Sequence, residues 1–167
     1  MPSDTRGQAI TTLNGMIKDI KMAMLTTVDD CGALHSRPMA TQQVEFDGDL
    51  WFFTGADTGK VNEIRHDAQV NVAYAQPDKN RYVSVSGVAR LVRDQAKMQE
   101  LWSPIYKAFF PKGLDDPDLA LLHITVQSAE YWDGPSGALV QLTGFVKALV
   151  TGQPYEADNE RMNLVQS

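Results

Sequence analysis

Two stretches carry residue types that can do chemistry: His35-Ser36-Arg37-Pro38-Met39-Ala40, and Leu50-Trp51-Phe52-Phe53-Thr54-Gly55-Ala56-Asp57-Thr58-Gly59-Lys60. Glycines such as Gly55 and Gly59 let backbone N–H groups approach an anion, Thr54 and Thr58 add hydroxyls, and Lys60 brings charge to the start of a helix. Arg37 is a second cation for the same anion, and Met39 offers a polarizable contact to a flat ring. Each group also has a plainer reading: Lys60 as a solvated helix lysine, Arg37 in a surface ion pair, Met39 as a core methionine. The loop is not a nucleotide-binding P-loop, which needs four residues between its glycines and Ser or Thr after the lysine. Here three residues separate Gly55 from Gly59, and Val61 follows Lys60.

The elements that must position these groups follow from periodicity. Ile10, Leu13, Ile17, Ile20 and Met24 recur every three or four residues, predicting an N-terminal helix whose last turn merges into a strand over 21–28. Asp29-Asp30-Cys31-Gly32 is a turn, and a long strand over 34–46 puts Arg37, Met39 and Thr41 on one face and Ser36, Pro38 and Ala40 on the other. Asp47-Gly48-Asp49 reads as a hairpin turn into a strand over 50–54, which would pair Thr54 near Gln42 or Gln43 and bring it toward Arg37. A short helix over 58–66, capped by Asp57 or Thr58, leads to strands over 69–75 and 81–90. Asp94 caps a helix toward Trp102, Ser103-Pro104 opens another, a last strand covers 121–132, and Leu139, Leu142, Phe145, Val146 and Leu149 line a C-terminal helix that stops at Gly152. Six strands joined mostly by tight turns predict a mainly β fold with flanking helices: an antiparallel sheet closed, or nearly closed, into a barrel, with an open α+β sandwich as the alternative. The expected organisation is a single domain over 1–154 and a flexible polar tail over 155–167.

Composition removes several function classes. A net charge of −6 argues against general nucleic-acid binding, which needs a concentrated basic face. No apolar run is long enough to span a bilayer and no signal-peptide pattern opens the chain, so the cytoplasm is the expected compartment. Cys31 is the single cysteine, which rules out an internal disulfide and a cysteine metal cluster within one chain. His35, His66 and His123 lack metal-ligand spacing, no G-x-S-x-G sequence is present, and Asp115, Asp116 and Asp118 read as capping residues rather than a cation site. Trp102, Tyr106, Phe109 and Phe110 surround a helix break and read as core or dimer surface.

The ordered set of Ser36-Arg37-Pro38-Met39, Leu50-Trp51-Phe52-Phe53-Thr54, Lys60, Arg81-Tyr82-Val83-Ser84-Val85-Ser86-Gly87 and Ala129-Glu130-Tyr131-Trp132-Asp133 resembles the pyridoxamine 5′-phosphate oxidase-like flavoproteins, and within them the general stress protein branch. The resemblance implies a six-stranded antiparallel split β-barrel, a homodimer, and FMN, rather than FAD, at the subunit interface. Carried over by position, Arg37 and Lys60 would hold the phosphate with Thr54, Thr58 and Gly59 around it. Ser36, Pro38 and Met39 would lie along the ring edge, and Tyr82 and Trp132 would close the site from the opposite subunit. The family's vitamin B6 oxidases have a lysine five residues after the arginine, where this chain has Gln42, and an arginine and a histidine near the C-terminus, where Asp133-Gly134-Pro135-Ser136 follow Trp132. The departures point away from vitamin B6 oxidation. Two functions stay open: an FMN-dependent oxidoreductase of unknown substrate, or a flavin-binding stress or sensor protein without turnover; a barrel that binds no flavin is the third reading.

Overall fold

Alternation builds the sheet. In β1 (Met22–Val28), Ala23, Leu25 and Thr27 are buried while Met22 and Met24 are exposed, so one face of the strand meets the core and the other meets solvent. A computed structural model describes residues 5–42, 44–135, 138–154 and 158–165. Its remaining strands are β2 (Leu34–Ala40), β3 (Asp49–Gly55), β4 (Gln69–Gln76), β5 (Arg81–Val92), β6 (Leu119–Asp133) and β7 (Asp158–Asn163). They form one seven-stranded sheet in the order β2-β1-β4-β5-β6-β3, with β7 also paired to β6, and every pairing is antiparallel. The sheet curls into a half-barrel flanked by α1 (Thr5–Ile17), α2 (Gly59–His66), α3 (Gln95–Leu101) and α4 (Ala138–Thr151), which is the expected split-barrel architecture. Among the described residues, no helix is long and apolar enough to cross a membrane.

The hairpin expected between residues 34–46 and 50–54 does not form. Strand β2 ends at Ala40 and pairs with β1, whereas β3 pairs with β6 at the other end of the sheet. The chain between them is held by other partners: Thr41 donates from its N–H to the Lys21 carbonyl and from Oγ1 to the Ile20 carbonyl, the Phe46 N–H reaches Asn14 Oδ1, and the Gly48 carbonyl accepts from the Val126 N–H. Asp47-Gly48-Asp49 is a tight turn, but it ends a crossover between two sheet edges. Sequence alternation alone does not distinguish the two.

Strand β6 also refuses to be the last. Along one edge it pairs with β5; along the other, its first half takes β3 (Asp49↔Thr125 to Gly55↔Leu119) and its second half takes β7 (Ser128↔Asn163 to Asp133↔Asp158). The register of β5 against β6 shifts between Ser86 and Gly87, and a Cβ on Gly87 would sit 2.4 Å from the Thr125 carbonyl oxygen. Only glycine fits that bulge. Over residues 158–165, therefore, the expected flexible tail is instead sheet and core. Met162 and Leu164 are buried, and the Leu164 carbonyl accepts from Arg6 Nε at 3.1 Å, tying the C-terminus to α1. With only Met162, Leu164 and Val165 apolar among polar residues, the stretch had too little periodicity to be seen.

The main core lies between α1 and the sheet, with Leu13, Leu25, Phe52, Val72, Leu122 and Ile124 at its centre. A second cluster packs Phe53, Met98, Leu101, Tyr106 and Leu121, where Trp102 stands edge-on to Phe53 and Phe110 lies tilted against it. Asp94 caps α3 through the Lys97 N–H, and Gly152 ends α4 at a positive φ of 70°, both as the sequence predicts. Leu164 is 2 % exposed, so Leu164→Ala leaves a cavity expected to cost about 2–5 kcal/mol. Urea unfolding measures this, and a midpoint unchanged from wild type would show that the C-terminal strand is not part of the core.

Candidate functional site

The pleat of β2 separates its side chains. Arg37 and Met39 point toward the body of the protein, while Ser36 and Pro38 face outward. Met39, read from the sequence as a ring contact, is 7 % exposed and belongs to the main core. Arg37 is half-buried beside α2. Its Nη2 donates to Glu63 Oε2 at 3.0 Å and its Nη1 donates to Thr27 Oγ1, while the Thr27 hydroxyl in turn donates to Glu63 Oε2. His35 Nδ1 meets Glu63 Oε1 at 2.9 Å, and its Nε2 lies 3.4 Å from Asp29 Oδ2. One carboxylate thus ties β1, β2 and α2 together. The Thr27 hydroxyl, Arg37 and His35 hold Glu63 below the usual carboxylate range, against the opposing effect of its burial.

Lys60 occupies the first turn of α2, three residues before Glu63, and is half-buried. Among the described residues no carboxylate pairs with it. Desolvation lowers its pKa, and the positive charge of Arg37 lowers it further, so the two cations are close enough to repel one another. This is the convergence that the sequence predicted, reached by another route: α2 packs near β1 and β2, and no hairpin is involved.

The loop before α2 is organised differently from the expected cradle. The Ala56 N–H donates to the Asp118 carbonyl at 2.7 Å and the Asp57 N–H to Asp118 Oδ1 at 3.1 Å, so two of its amides are already occupied. A Cβ on Gly55 would lie 2.7 Å from Asp118 Oδ2, whereas one on Gly59 would meet open space. Gly55 serves the approach of Asp118; Gly59 leaves the surface above the first turn clear. Thr54 is 1 % exposed with its hydroxyl donating to the Gly55 carbonyl, and Thr58, at the N-cap, donates to the same carbonyl at 3.2 Å instead of capping its helix. The Val61 and Asn62 N–H groups already donate to the Thr58 carbonyl, so the donors at this end of α2 are the Gly59 and Lys60 N–H groups and the Lys60 ammonium.

Tyr82 and Trp132 are opposite one another in the register of β5 and β6, and both are exposed on the outer face of the sheet. The outer face is also that of Ser36 and Pro38, because Pro38, Met24, Ala73 and Ser84 are successive cross-strand partners. Three strand spacings, about 14 Å, separate β2 from β5, so one chain does not bring Tyr82 and Trp132 to Arg37 and Lys60. Gln42 points elsewhere too: its Oε1 accepts from the Tyr106 hydroxyl at 3.2 Å, within the second core cluster. The remaining histidines agree with a structural role where they are buried. His123 accepts from Arg90 Nε at 3.0 Å, lies 3.2 Å from Asp49 and stacks against Trp51.

Sequence reading missed Glu63 and Thr27, and it read Asp118 as a capping residue without its partners in the loop before α2. A signal for Glu63 existed, since it lies one helical turn after Lys60 and on the same side of α2. Nothing in the spacing of Thr27 or Asp118 indicated their partners.

With this geometry in place, the comparisons define the class. The chain belongs to the Pyridoxamine 5′-phosphate oxidase like family, whose pattern it matches over residues 8–156. It is 27 % identical to Protein bli-3 of Neurospora crassa across 88 % of this chain and 75 % of that one. Its fold is shared by a candidate general stress protein 26 from Jannaschia sp. CCS1, at a TM-score of 0.74 and 21 % identity over 94 % of this chain and 99 % of that one. A general stress FMN/FAD binding protein from Xanthomonas citri is 27 % identical over 80 % of this chain and 92 % of its own, with a TM-score of 0.62.

Because the native carboxyl of Glu63 titrates below its ordinary value, its contribution to stability is complete above the ordinary carboxylate range and is lost as the pH falls through the native value. The stability gap between wild type and Glu63→Gln, from urea unfolding at several pH values, is therefore expected to be widest near neutrality and to close in acid. A gap of constant size would contradict the network.

Proposed function

We propose that this protein is a cytoplasmic, homodimeric flavoprotein that binds FMN, with the flavin phosphate held by Lys60 and Arg37. The observation that carries this reading is the half-buried Lys60 ammonium, desolvated and without a carboxylate partner among the described residues, beside the guanidinium of Arg37. A buried cation is costly to maintain unless an anion joins it. Arg37 gives two of its five N–H donors to Thr27 and Glu63, which fixes the plane of the guanidinium and leaves donors for an anion. The Gly59 and Lys60 amides at the start of α2 add further donors, and the open space above Gly59 admits the ligand. Family membership and the likeness to the Xanthomonas citri FMN/FAD binding protein support a flavin in particular.

The ring would lie along the exposed edge at Ser36 and Pro38, at the interface with a second chain. Micromolar binding corresponds to about −8 kcal/mol, whereas an exposed ion pair is worth ~0–1 kcal/mol. Much of the affinity must then come from burying the ring, and the cations set its register. FMN, when bound, supplies hydride or electron transfer. The residues of this chain bind and orient it, and the turning of Gln42 into the core supports a substrate other than a vitamin B6 phosphate. We favour an oxidoreductase; one observation favours a non-catalytic flavin protein, namely that His35 and Glu63, the acid–base groups beside the clamp, are bound to each other.

Purified protein is expected to show a flavin absorption spectrum, with FMN as the released mass. Lys60→Ala and Arg37→Ala are each expected to weaken FMN binding about 10- to 100-fold, the loss of one charge-assisted contact, with folding retained. Fluorescence titration of FMN measures this, and wild-type affinity in both variants would sink the assignment. Bleaching of the bound flavin by NADH or NADPH, followed by reoxidation with an added acceptor, would distinguish the enzyme from the non-catalytic protein.

A further inference from the structure

Helix α4 carries a broad apolar stripe, with Thr143, Gly144, Lys147 and Thr151 on its other side and Lys147 its single charged residue. Leu142, Phe145, Val146, Leu149 and Val150 are all exposed, Leu149 at 70 % and Val150 at 80 %. A stripe of this width is a face that another element ordinarily covers. The exposure of these five side chains shows that nothing among the described residues covers this side of the helix.

The sheet carries a second uncovered apolar surface. On its outer face Met22, Ala75, Tyr82 and Trp132 stand beside one another on β1, β4, β5 and β6, with Met24 in the adjoining row. Met22, Met24, Tyr82 and Trp132 are all exposed. This surface leads directly to the helix, because Asp133 follows Trp132 and pairs with Asp158, so α4 leaves and rejoins the sheet at one point.

We propose that α4 is an exchanged arm, which in a two-fold dimer lies across the Met22–Tyr82–Trp132 row of a second copy while the α4 of that copy returns the contact. The inference rests on the dimer proposed above and names the element that holds it. Each chain carries both halves of the contact, so a two-fold axis satisfies them together and closes the assembly. The dimensions agree: 14 helical residues span about 21 Å, and the row crosses three strand spacings, about 14 Å. The exposed apolar side chains of helix and row present on the order of 900 Å² per chain, against the roughly 800 Å² per partner that a stable interface takes.

The test compares the full-length wild type with the Phe145→Glu/Leu149→Glu variant by light scattering during size exclusion. The expected result is a wild-type dimer and a variant whose dimer dissociates at least ten-fold more readily, with the circular dichroism of the sheet retained. A wild-type dimer unaffected by the two charges would overturn the arm and leave the dimer reading standing; a wild-type monomer would overturn both. Should the variant fail to fold, photo-cross-linking decides, with p-benzoylphenylalanine in place of Phe145 and a mixture of ¹⁵N-labelled and unlabelled chains. Cross-linked peptides of mixed isotope content from the strands holding Met22, Tyr82 or Trp132 support exchange. Cross-links confined to one chain, or none, overturn it.

Discussion

The fold is organised around the hydrogen-bonding capacity of β6. A strand of 15 residues presents a long row of backbone donors and acceptors on each edge, and leaving them unpaired inside a domain is costly. Strand β5 takes one edge by tolerating a bulge at Gly87, and the other edge is divided between β3 and β7. The junction between those two strands is itself paired, by the Val126 N–H on the Gly48 carbonyl and the Leu164 N–H on the Gln127 carbonyl. The arrival of β3 fixes where α2 begins, and α2 delivers Lys60 and Glu63. The site is a consequence of how that edge is filled.

At the site, the sign of each charge matters less than whether it is paired. Glu63 is surrounded by three donor groups from two strands and stays ionised; Lys60, a turn away, has none of that compensation and feels only burial and a second cation. The folded chain therefore holds one satisfied charge and one unsatisfied charge on the same helix. The first stiffens the attachment of α2 to the sheet, and the second leaves a cation uncompensated beside Arg37. Asp118, by occupying the loop amides before α2, moves the available donors from the loop to the helix.

Most of the strands and helices were legible because alternation and 3.6-residue periodicity are local properties. What was not legible depended on partners distant in the chain. The turn at Asp47-Gly48-Asp49 has hairpin composition, but its strands belong to opposite ends of the sheet, a choice made by Asn14, Lys21 and Val126. Residues 158–165 are polar enough to resemble a tail, and only the vacant half of the β6 edge recruits them. The pairing of Arg37 with Lys60 was anticipated, yet for a hairpin that does not exist. Met39 and Thr54 were given surface roles because a strand pattern indicates that two side chains share a face without indicating which face is inward.

Pro38 has a meaning independent of any ligand. Strand β2 ends the sheet, and an exposed edge invites strands of other molecules to add to it. A proline there has no N–H to offer, and it leaves the ladder with β1 in register on either side, from Ala40 opposite Met22 to Leu34 opposite Val28. The one long edge that faces outward beside the site is thus a poor template for continued β-addition. The same residue that borders the candidate site also guards the sheet against pairing with another molecule.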